Sequence, residues 1–377
     1  MGDRVRRFLI VAGEASGDAH AARLVRALRA LGPCRVTGIA GPRMRAEGVE
    51  ALVPQEELAV LGFVEVLAKL PVLLRARRVL LEAVARERPD AVVLVDYPGF
   101  NLRFGPQAAA RGARVFCYIA PQVWAWHPER AARMARWATG LAVVFPFEEP
   151  LFREAGVNAR FVGHPLLDDL APETDAAGLR AALDAAPDQP VLGLLPGSRA
   201  QEVARMLPPM LAAAQRLRAG RPRLAVVVAA APGLPPRALA AARRAAGVRV
   251  VEGLTHAVQA HATACAVSSG TATLETALFG TPLAIVYRTG RLTFAIARRL
   301  VTVRRIGLPN IVAGEDVAPE LVQGELTPQR LAETLAPWLD DPAARAAASA
   351  RLGGVRDRLG APGGSARAAA WLWELAA

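Results

Sequence analysis

Short unbroken apolar runs recur along this chain. Each is followed by a Gly or Pro turn and then by a longer stretch with helical spacing. In the first half the runs are 8–12 (FLIVA), 35–40 (RVTGIA), 91–95 (AVVLV), 114–119 (RVFCYI), 140–145 (GLAVVF) and 159–162 (ARFV). They are continuous rather than alternating, the signature of strands buried on both faces of a parallel sheet. Residues 18–31 and 73–87 carry the pattern of crossover helices. Residues 168–189 are polar, acidic and broken by Pro, and read as a linker around a short helix. The grammar then restarts, with strands expected at 191–195, 224–230, 248–251, 264–267 and 283–287. Helices fit 201–219, 236–246, 271–279 and 328–339. The chain therefore reads as α/β, two doubly wound halves in tandem with the ligand crevice expected between them. The expected boundaries are 1–167, a linker at 168–189, 190–342, and a helical tail at 343–377. That tail ends in Trp371-Leu372-Trp373, whose rings need a covering surface, either on the chain's own domains or on a partner subunit.

Composition narrows this picture. With 377 residues, 53% of them hydrophobic and 21% charged, the chain has room for two cores and is not disordered. Three cysteines (Cys34, Cys117, Cys265) cannot make a disulfide framework, and their spacing suggests no metal site. A reducing compartment is the simpler expectation. The first apolar stretch meets Glu14 and Asp18 too soon for a signal peptide, and no segment is long and apolar enough to span a bilayer. The balance of 46 basic against 34 acidic residues leaves a net charge of +12. That permits an anionic partner, whether nucleic acid, membrane or phosphorylated substrate, without choosing among them. The arginines are scattered among helices without interleaved aromatics, which argues against nucleic acid.

The candidate chemistry sits in loops that follow strands. Residues 13–18 (Gly13-Glu14-Ala15-Ser16-Gly17-Asp18) occupy a phosphate-loop position but lack the G-x-G-x-x-G pattern and a Walker lysine. Glu14 would repel a phosphate and better suits a sugar hydroxyl; the plainer alternative is a strand–helix turn capped by Asp18. Residues 96–101 (Asp96-Tyr97-Pro98-Gly99-Phe100-Asn101) place a carboxylate at a strand's C-terminal edge. Asp96 is either a general base for an incoming hydroxyl or a turn acceptor. Residues 121–128 (PQVWAWHP) hold two tryptophans that either stack on ligand or plug the domain edge. In 196–202, Gly197, Ser198 and Arg199 precede a helix and suit a phosphate, the alternative being a surface Arg199–Glu202 pair. In 268–275, Ser269, Gly270, Thr271, Ala272 and Thr273 form an anion cup, or simply a well-capped helix, with Glu275 placed to hold a ribose hydroxyl. The apolar, Arg-flanked segment 58–81 is either a membrane-interface element or two core helices broken at Pro71. Asn310, in 307–311 (GLPNI), is a weak signal by spacing alone.

Seven strings, AGEASGD (12–18), DYPGFN (96–101), PQVWAWHP (121–128), VGHPL (162–166), LLPGSR (194–199), SSGTATLE (268–275) and GLPNI (307–311), closely resemble the lipid-A-disaccharide synthase family. They stand in the family's order and span nearly the whole chain. One departure is Gly99, where the family usually has an acidic residue; it loosens the loop and leaves Asp96 in place.

The resemblance implies an inverting glycosyltransferase of GT-B fold, two Rossmann-like domains facing across a cleft. Its substrates would be UDP-2,3-diacylglucosamine and 2,3-diacylglucosamine 1-phosphate (lipid X), and its products the β-1,6 disaccharide 1-phosphate and UDP. Neither metal nor other cofactor is implied. By this resemblance Asp96 is the general base. Gly197, Ser198, Arg199, Ser269, Gly270, Thr271, Ala272, Thr273, Glu275 and Asn310 serve the nucleotide and diphosphate. Glu14, Ser16, Gly17, Asn101, Gln122 and Trp124 line the acceptor or sugar side. Phe63, Val66, Leu67, Leu70, Leu73 and Leu74 meet acyl chains or membrane. The implied setting is peripheral attachment to the anionic cytoplasmic face of a Gram-negative inner membrane, with a possible homodimer through the last helices. The nearest rivals on the same fold are a UDP-N-acetylglucosamine 2-epimerase and the peptidoglycan-precursor N-acetylglucosaminyltransferase.

Overall fold

A computed structural model describes residues 4–58, 70–121, 129–290, 294 and 305–377. The chain forms two compact units, Met1–Asp168 with Leu359–Ala377, and Asp169–Arg358.

The first unit is built on a seven-stranded parallel sheet: β1 (Arg6–Ala12), β2 (Cys34–Ala40), β3 (Glu50–Pro54), β4 (Ala91–Val95), β5 (Val115–Tyr118), β6 (Ala138–Val143) and β7 (Ala159–Phe161), in the order β3-β2-β1-β4-β5-β6-β7. The central strands are buried along their length, as their apolar runs require; all five residues of β4 are inaccessible. The second unit has a six-stranded parallel sheet: β8 (Val191–Leu195), β9 (Ala225–Ala230), β10 (Val248–Glu252), β11 (Ala264–Ser268), β12 (Leu283–Tyr287) and β13 (Glu320–Val322), in the order β10-β9-β8-β11-β12-β13. Two strands lie outside the sequence expectation, β3 and β13. Both are edge strands, and β3 is only partly buried (EALVP), so neither carries a continuous apolar run.

Strand order reverses between β1 and β4 in one unit and between β8 and β11 in the other. At such a switch point the loops leaving the two strands diverge and open a binding crevice. The register pairs Ala12 with Val95, and Leu195 with Val267. Loop 13–18 therefore leaves the sheet beside loop 96–101, and loop 196–202 beside loop 268–275.

The helical tail does not act as one piece. The helix Pro342–Arg358 belongs to the second unit, whereas the helix Gly364–Leu375 belongs to the first. The Asp168 carboxylate accepts from the N–H groups of Gly363, Gly364 and Ser365 at 2.7–3.1 Å and so caps this last helix. Trp371 is 4% exposed, packs edge-on against Phe116 at 5.3 Å and carries the Arg160 guanidinium over its ring. Trp373 lies against Phe8 and under Arg6. The tail aromatics are thus covered within the chain. Nearby, His164 is buried, its Nδ1 accepts from the Leu166 N–H at 3.2 Å, and its backbone N–H bonds to Leu359. Burial, with the positive charge of His20 and Arg23 adding to it, pushes His164 down to about 3, so its ring is neutral at pH 7.

Candidate active site

In the first unit, two left-handed residues in succession turn the chain at the end of β4: Asp96 (φ 47°) and Tyr97 (φ 54°). Neither is Gly, so each conformation costs about 1–2 kcal/mol. Backbone of this kind persists only where the surroundings enforce it, and it concentrates at functional edges. Ile119, just past the neighbouring β5, is a third example at φ 68°. Asn101 does the enforcing at Asp96. It is 5% exposed, and its Nδ2 donates to the Val95 carbonyl at 3.4 Å and, more closely, to the Asp96 carbonyl. Its Oδ1 is buried without a hydrogen-bond partner. Asn101, expected to face ligand, is instead a clamp on the Asp96 backbone.

Loop 13–18 supplies the facing wall. A Cβ on Gly13 would lie 2.1 Å from the Tyr97 ring, so only Gly lets that ring close over the loop. A Cβ on Gly17 would lie 3.5 Å from the Val95 carbonyl and 3.9 Å from the Asp96 Cβ. Gly17 is buried, so its part is packing beneath Asp96 rather than contact with a sugar. Glu14 is half-buried and Ser16 exposed, so both remain on the open side. The Tyr97 hydroxyl is pushed up by burial and by the Glu14 charge, which keeps it protonated. Asp18 turns away from the site. Its carboxylate accepts from Gly41, Arg43 and Met44 N–H groups at 2.8–3.2 Å, capping the short helix Pro42–Ala46. Gly99 is exposed with open space where a Cβ would stand, so the acidic residue usual in the family would fit without a clash. Gln122 and Trp124 fall outside the described residues, as do Phe63, Val66 and Leu67.

In the second unit, Gly197 adopts φ +116° above the Glu202 side chain, a conformation that favours Gly. Glu202 Oε2 accepts from the Ser198 and Arg199 N–H groups at 3.3 and 3.4 Å, and Arg199 pairs with Oε1 at 3.3 Å. An internal carboxylate thus sits against an anion-seeking loop at the start of the helix Ala200–Ala219. The ion pair is exposed and contributes under about 1 kcal/mol, too little to hold Arg199 against a diphosphate.

Loop 268–275 divides by burial. Gly270 and Thr271 are exposed and Ala272 half-buried, at the start of the helix Thr271–Leu278, whose first-turn N–H groups lack intrahelical partners. Two expected contacts point elsewhere. The Thr273 hydroxyl is fully buried and donates to the Gly270 carbonyl at 2.7 Å. The Ser269 hydroxyl donates to the Ile306 carbonyl at 2.9 Å. Asn310 is also enclosed, at 0% exposure. Its Nδ2 donates to Ala318 O and Glu320 Oε1, both at 2.8 Å, and its Oδ1 accepts from the Ala318 N–H at 2.9 Å. With donor and acceptor both engaged, Asn310 holds the 306–320 loop. Glu320 extends the tie by accepting from the Ile306 and Gly307 N–H groups.

Glu275 has partners the sequence did not disclose. Its Oε2 accepts from Gln259 at 3.1 Å, and its Oε1 lies 3.8 Å from His256. His256 also lies 3.7 Å from Glu173. The Glu275 carboxylate beside it raises its affinity for a proton, against partial burial, and the charge of Glu173 adds to that. His256 and Gln259 stand three apart on the helix Thr255–His261, a spacing that places both on one face, but nothing in sequence ties that face to Glu275.

Among the described residues no cluster of His, Cys, Asp and Glu could hold a metal ion, and no helix is long and apolar enough to cross a membrane. Cys117 and Cys265 are fully buried and pushed up to about 12, so neither is a nucleophile.

A family model described as lipid-A-disaccharide synthetase matches residues 8–357. The lipid-A-disaccharide synthase of Anaeromyxobacter sp. (strain K) is 43% identical over 367 residues, covering 96% of both chains. That of Geobacter metallireducens is 42% identical over 373 residues, covering 98% of this chain and 97% of its own. Among solved structures, the calicheamicin glycosyltransferase CalG4 aligns with a TM-score of 0.61 at 21% identity, over 99% of this chain and 98% of its own. A UDP-GlcNAc 2-epimerase from Neisseria meningitidis aligns with a TM-score of 0.64 at 10% identity, over 94% and 97%. At such identities the structural likenesses speak to fold, and the fold is GT-B. The family match runs through both sheets and all four switch-point loops, and this chain belongs to the lipid-A-disaccharide synthase family of glycosyltransferases.

Proposed function

We propose that the chain joins UDP-2,3-diacylglucosamine to 2,3-diacylglucosamine 1-phosphate with inversion, with Asp96 as general base. The Asp96 carboxylate takes the proton of the acceptor's 6-hydroxyl as that oxygen attacks the donor's anomeric carbon. The new C–O bond forms as the bond to the diphosphate breaks, and its electron pair leaves with UDP. Attack opposite the leaving group gives the β-1,6 linkage. The first unit is the acceptor side, with Glu14 and Ser16 meeting sugar hydroxyls. The second is the donor side. There Arg199, the exposed Ser198 hydroxyl and the N–H groups of Gly197, Gly270, Thr271 and Ala272 hold the negative charge that grows on the diphosphate. Glu275, oriented by Gln259 and His256, receives the ribose.

The observation that carries this reading is the Ala12–Val95 register, which sets Asp96 beside the 13–18 loop at the switch point, on a backbone clamped by Asn101. The lipid side is supported by Leu70 and Leu74, 44% and 45% exposed at the start of the helix Leu70–Glu87, where half-buried Leu73 packs toward the core. We infer that these residues touch acyl chains or the membrane surface, and that the enzyme works attached to the cytoplasmic face of the inner membrane. The test is an assay with both diacyl substrates in detergent, resolving the linkage of the product. A β-1,6 disaccharide 1-phosphate with stoichiometric UDP is expected. Conversion of UDP-N-acetylglucosamine alone to an epimer, with no disaccharide from the lipid pair, would overturn the proposal.

A further inference from the structure

Three ionisable side chains from separate stretches of the second unit stand in a row: Glu173, His256 and Glu275. The His256 ring spans the gap. Its Nδ1 lies 3.7 Å from Glu173 Oε1, and its Nε2 lies 3.8 Å from Glu275 Oε1. None of the three side chains is more than 34% exposed, so their charges are screened less than those of a surface pair. Glu173 is anchored by backbone: its carboxylate accepts from the His256 and Ala257 N–H groups at 3.2 and 2.7 Å. The carbonyl of Thr174 accepts from His261 Nε2 at 3.1 Å, so this segment is tied to both ends of the helix Thr255–His261. At the far end of the row, Glu275 Oε2 accepts from fully buried Gln259, whose Nε2 also donates to the Ala272 carbonyl at 3.1 Å. Glu275 Oε1 is the edge that faces His256.

The chemistry of the ring decides what it can do there. Both gaps are too long for direct hydrogen bonds, so the ring acts on the carboxylates through charge. A neutral imidazole has one N–H and one lone pair, and whichever carboxylate faces the lone pair is repelled. The imidazolium turns an N–H toward each carboxylate and sets a positive charge between two negative ones. Other elements packed against the helix Thr255–His261 add no competing charge. β8 and β9 carry no titratable residue, and Glu275 is the only one on the helix Thr271–Leu278. Arg180, on the helix Ala176–Leu183, bonds back to its own Ala176 carbonyl at 3.3 Å. We propose that Glu173 and His256 act together as positioning residues for the donor: the protonated ring, held by Glu173, fixes Glu275 to receive the ribose hydroxyls, and the nucleotide binds less tightly once the ring is neutral. This regulation of the donor site rests on the reading of Glu275 as the ribose acceptor.

Calorimetry on the full chain with UDP and 2′,3′-dideoxy-UDP tests it. The ratio of the two Kd values isolates the ribose contact, because any proton taken up by the terminal phosphate is common to both ligands. In the parent the preference for UDP should be greatest near pH 6 and fall about fivefold by about pH 8.5, the worth of one such charge contact. His256→Gln should show the weaker preference at both pH values. His256→Arg keeps a permanent positive charge and should show the stronger preference at both. Glu173→Gln retains an acceptor for the Ala257 N–H but loses the charge, so its decline should begin at lower pH. In turnover, His256→Gln at pH 6 should raise the donor's KM about fivefold and leave the acceptor's KM within about twofold. A preference that is independent of pH in the parent, or that falls with pH as steeply in His256→Gln, would overturn the proposal. So would a His256→Arg protein that behaves like His256→Gln while melting at the parent's temperature. If the parent makes disaccharide while its preference ignores both pH and His256, the positioning role fails and the proposed reaction stands. If the preference follows pH through His256 but the lipid pair gives no disaccharide, the reaction fails and the positioning role stands.

Discussion

Replacing Asn101 by Ala tests whether the backbone at Asp96 is held or merely happens to adopt its shape. The side chain supplies two donor contacts, to the carbonyls of Val95 and Asp96, from a site 5% exposed. Each bond is worth about 1 kcal/mol net, and the vacated volume adds to the loss, for a total of about 2–3 kcal/mol. Against this stand two left-handed non-Gly residues, whose combined cost is about 2–4 kcal/mol. The two sums are comparable, so removal of the clamp should let Asp96 and Tyr97 relax. A carboxylate displaced by about 1 Å loses on the order of 100-fold in rate. Asn101→Ala should therefore lower kcat by about two orders of magnitude with a smaller change in KM. The melting point of the first unit should fall by roughly 4–12 °C. Asn101→Asp, though of equal size, should do no better, because it sets a carboxylate oxygen against two carbonyls. Steady-state kinetics with both substrates and a thermal melt read the outcome. A kcat within twofold of the parent, with the melt lowered as expected, would refute the clamp as a device for positioning Asp96.

Asp96→Asn should cost about 10²–10⁴ in kcat while UDP binding, followed by calorimetry, persists; near-parent turnover would remove Asp96 from the role of base. His164, ordinarily near 6.5, is lowered to about 3 in the fold, so its contribution to stability is full above pH 6.5 and is lost as pH falls toward 3. Denaturant unfolding between pH 6 and 4 should show a slope of about 1.4 kcal/mol per pH unit from this group, and His164→Asn should flatten it. Trp371→Ala removes a ring 4% exposed between Phe116 and Arg160 and should destabilise the first unit by about 3–5 kcal/mol; an unchanged denaturation midpoint would mean that the last helix is dispensable to the fold.

Eleven of the thirteen strands among the described residues were legible as continuous apolar runs, because a strand buried on both faces has no polar position to interrupt it. The two missed strands are edges, where half the surface is exposed and the signal thins. The loops were legible because Gly, Pro and charged residues stand abruptly after those runs. Individual side-chain roles were less so. Asn310, Thr273 and Asn101 are polar residues in ligand-like motifs, yet each turns inward to satisfy backbone groups that the turns would otherwise strand. A buried amide and a ligand-reading amide look alike in sequence, since both need a polar residue in a tight loop.

Taken alone, the sequence determined the α/β class, the tandem arrangement and the order of the motif loops, since periodicity and punctuation are local properties of the chain. Tertiary structure alone decided which loops leave the sheet side by side, because strand order is set by the crossovers and not by neighbours in sequence. It also split the tail between the units and paired His256 with Glu275. The same packing turned four polar side chains expected at ligand, those of Asn101, Ser269, Thr273 and Asn310, onto backbone groups. Each of these depends on residues far apart in the chain arriving at one place, and hydrophobic periodicity carries no record of that meeting.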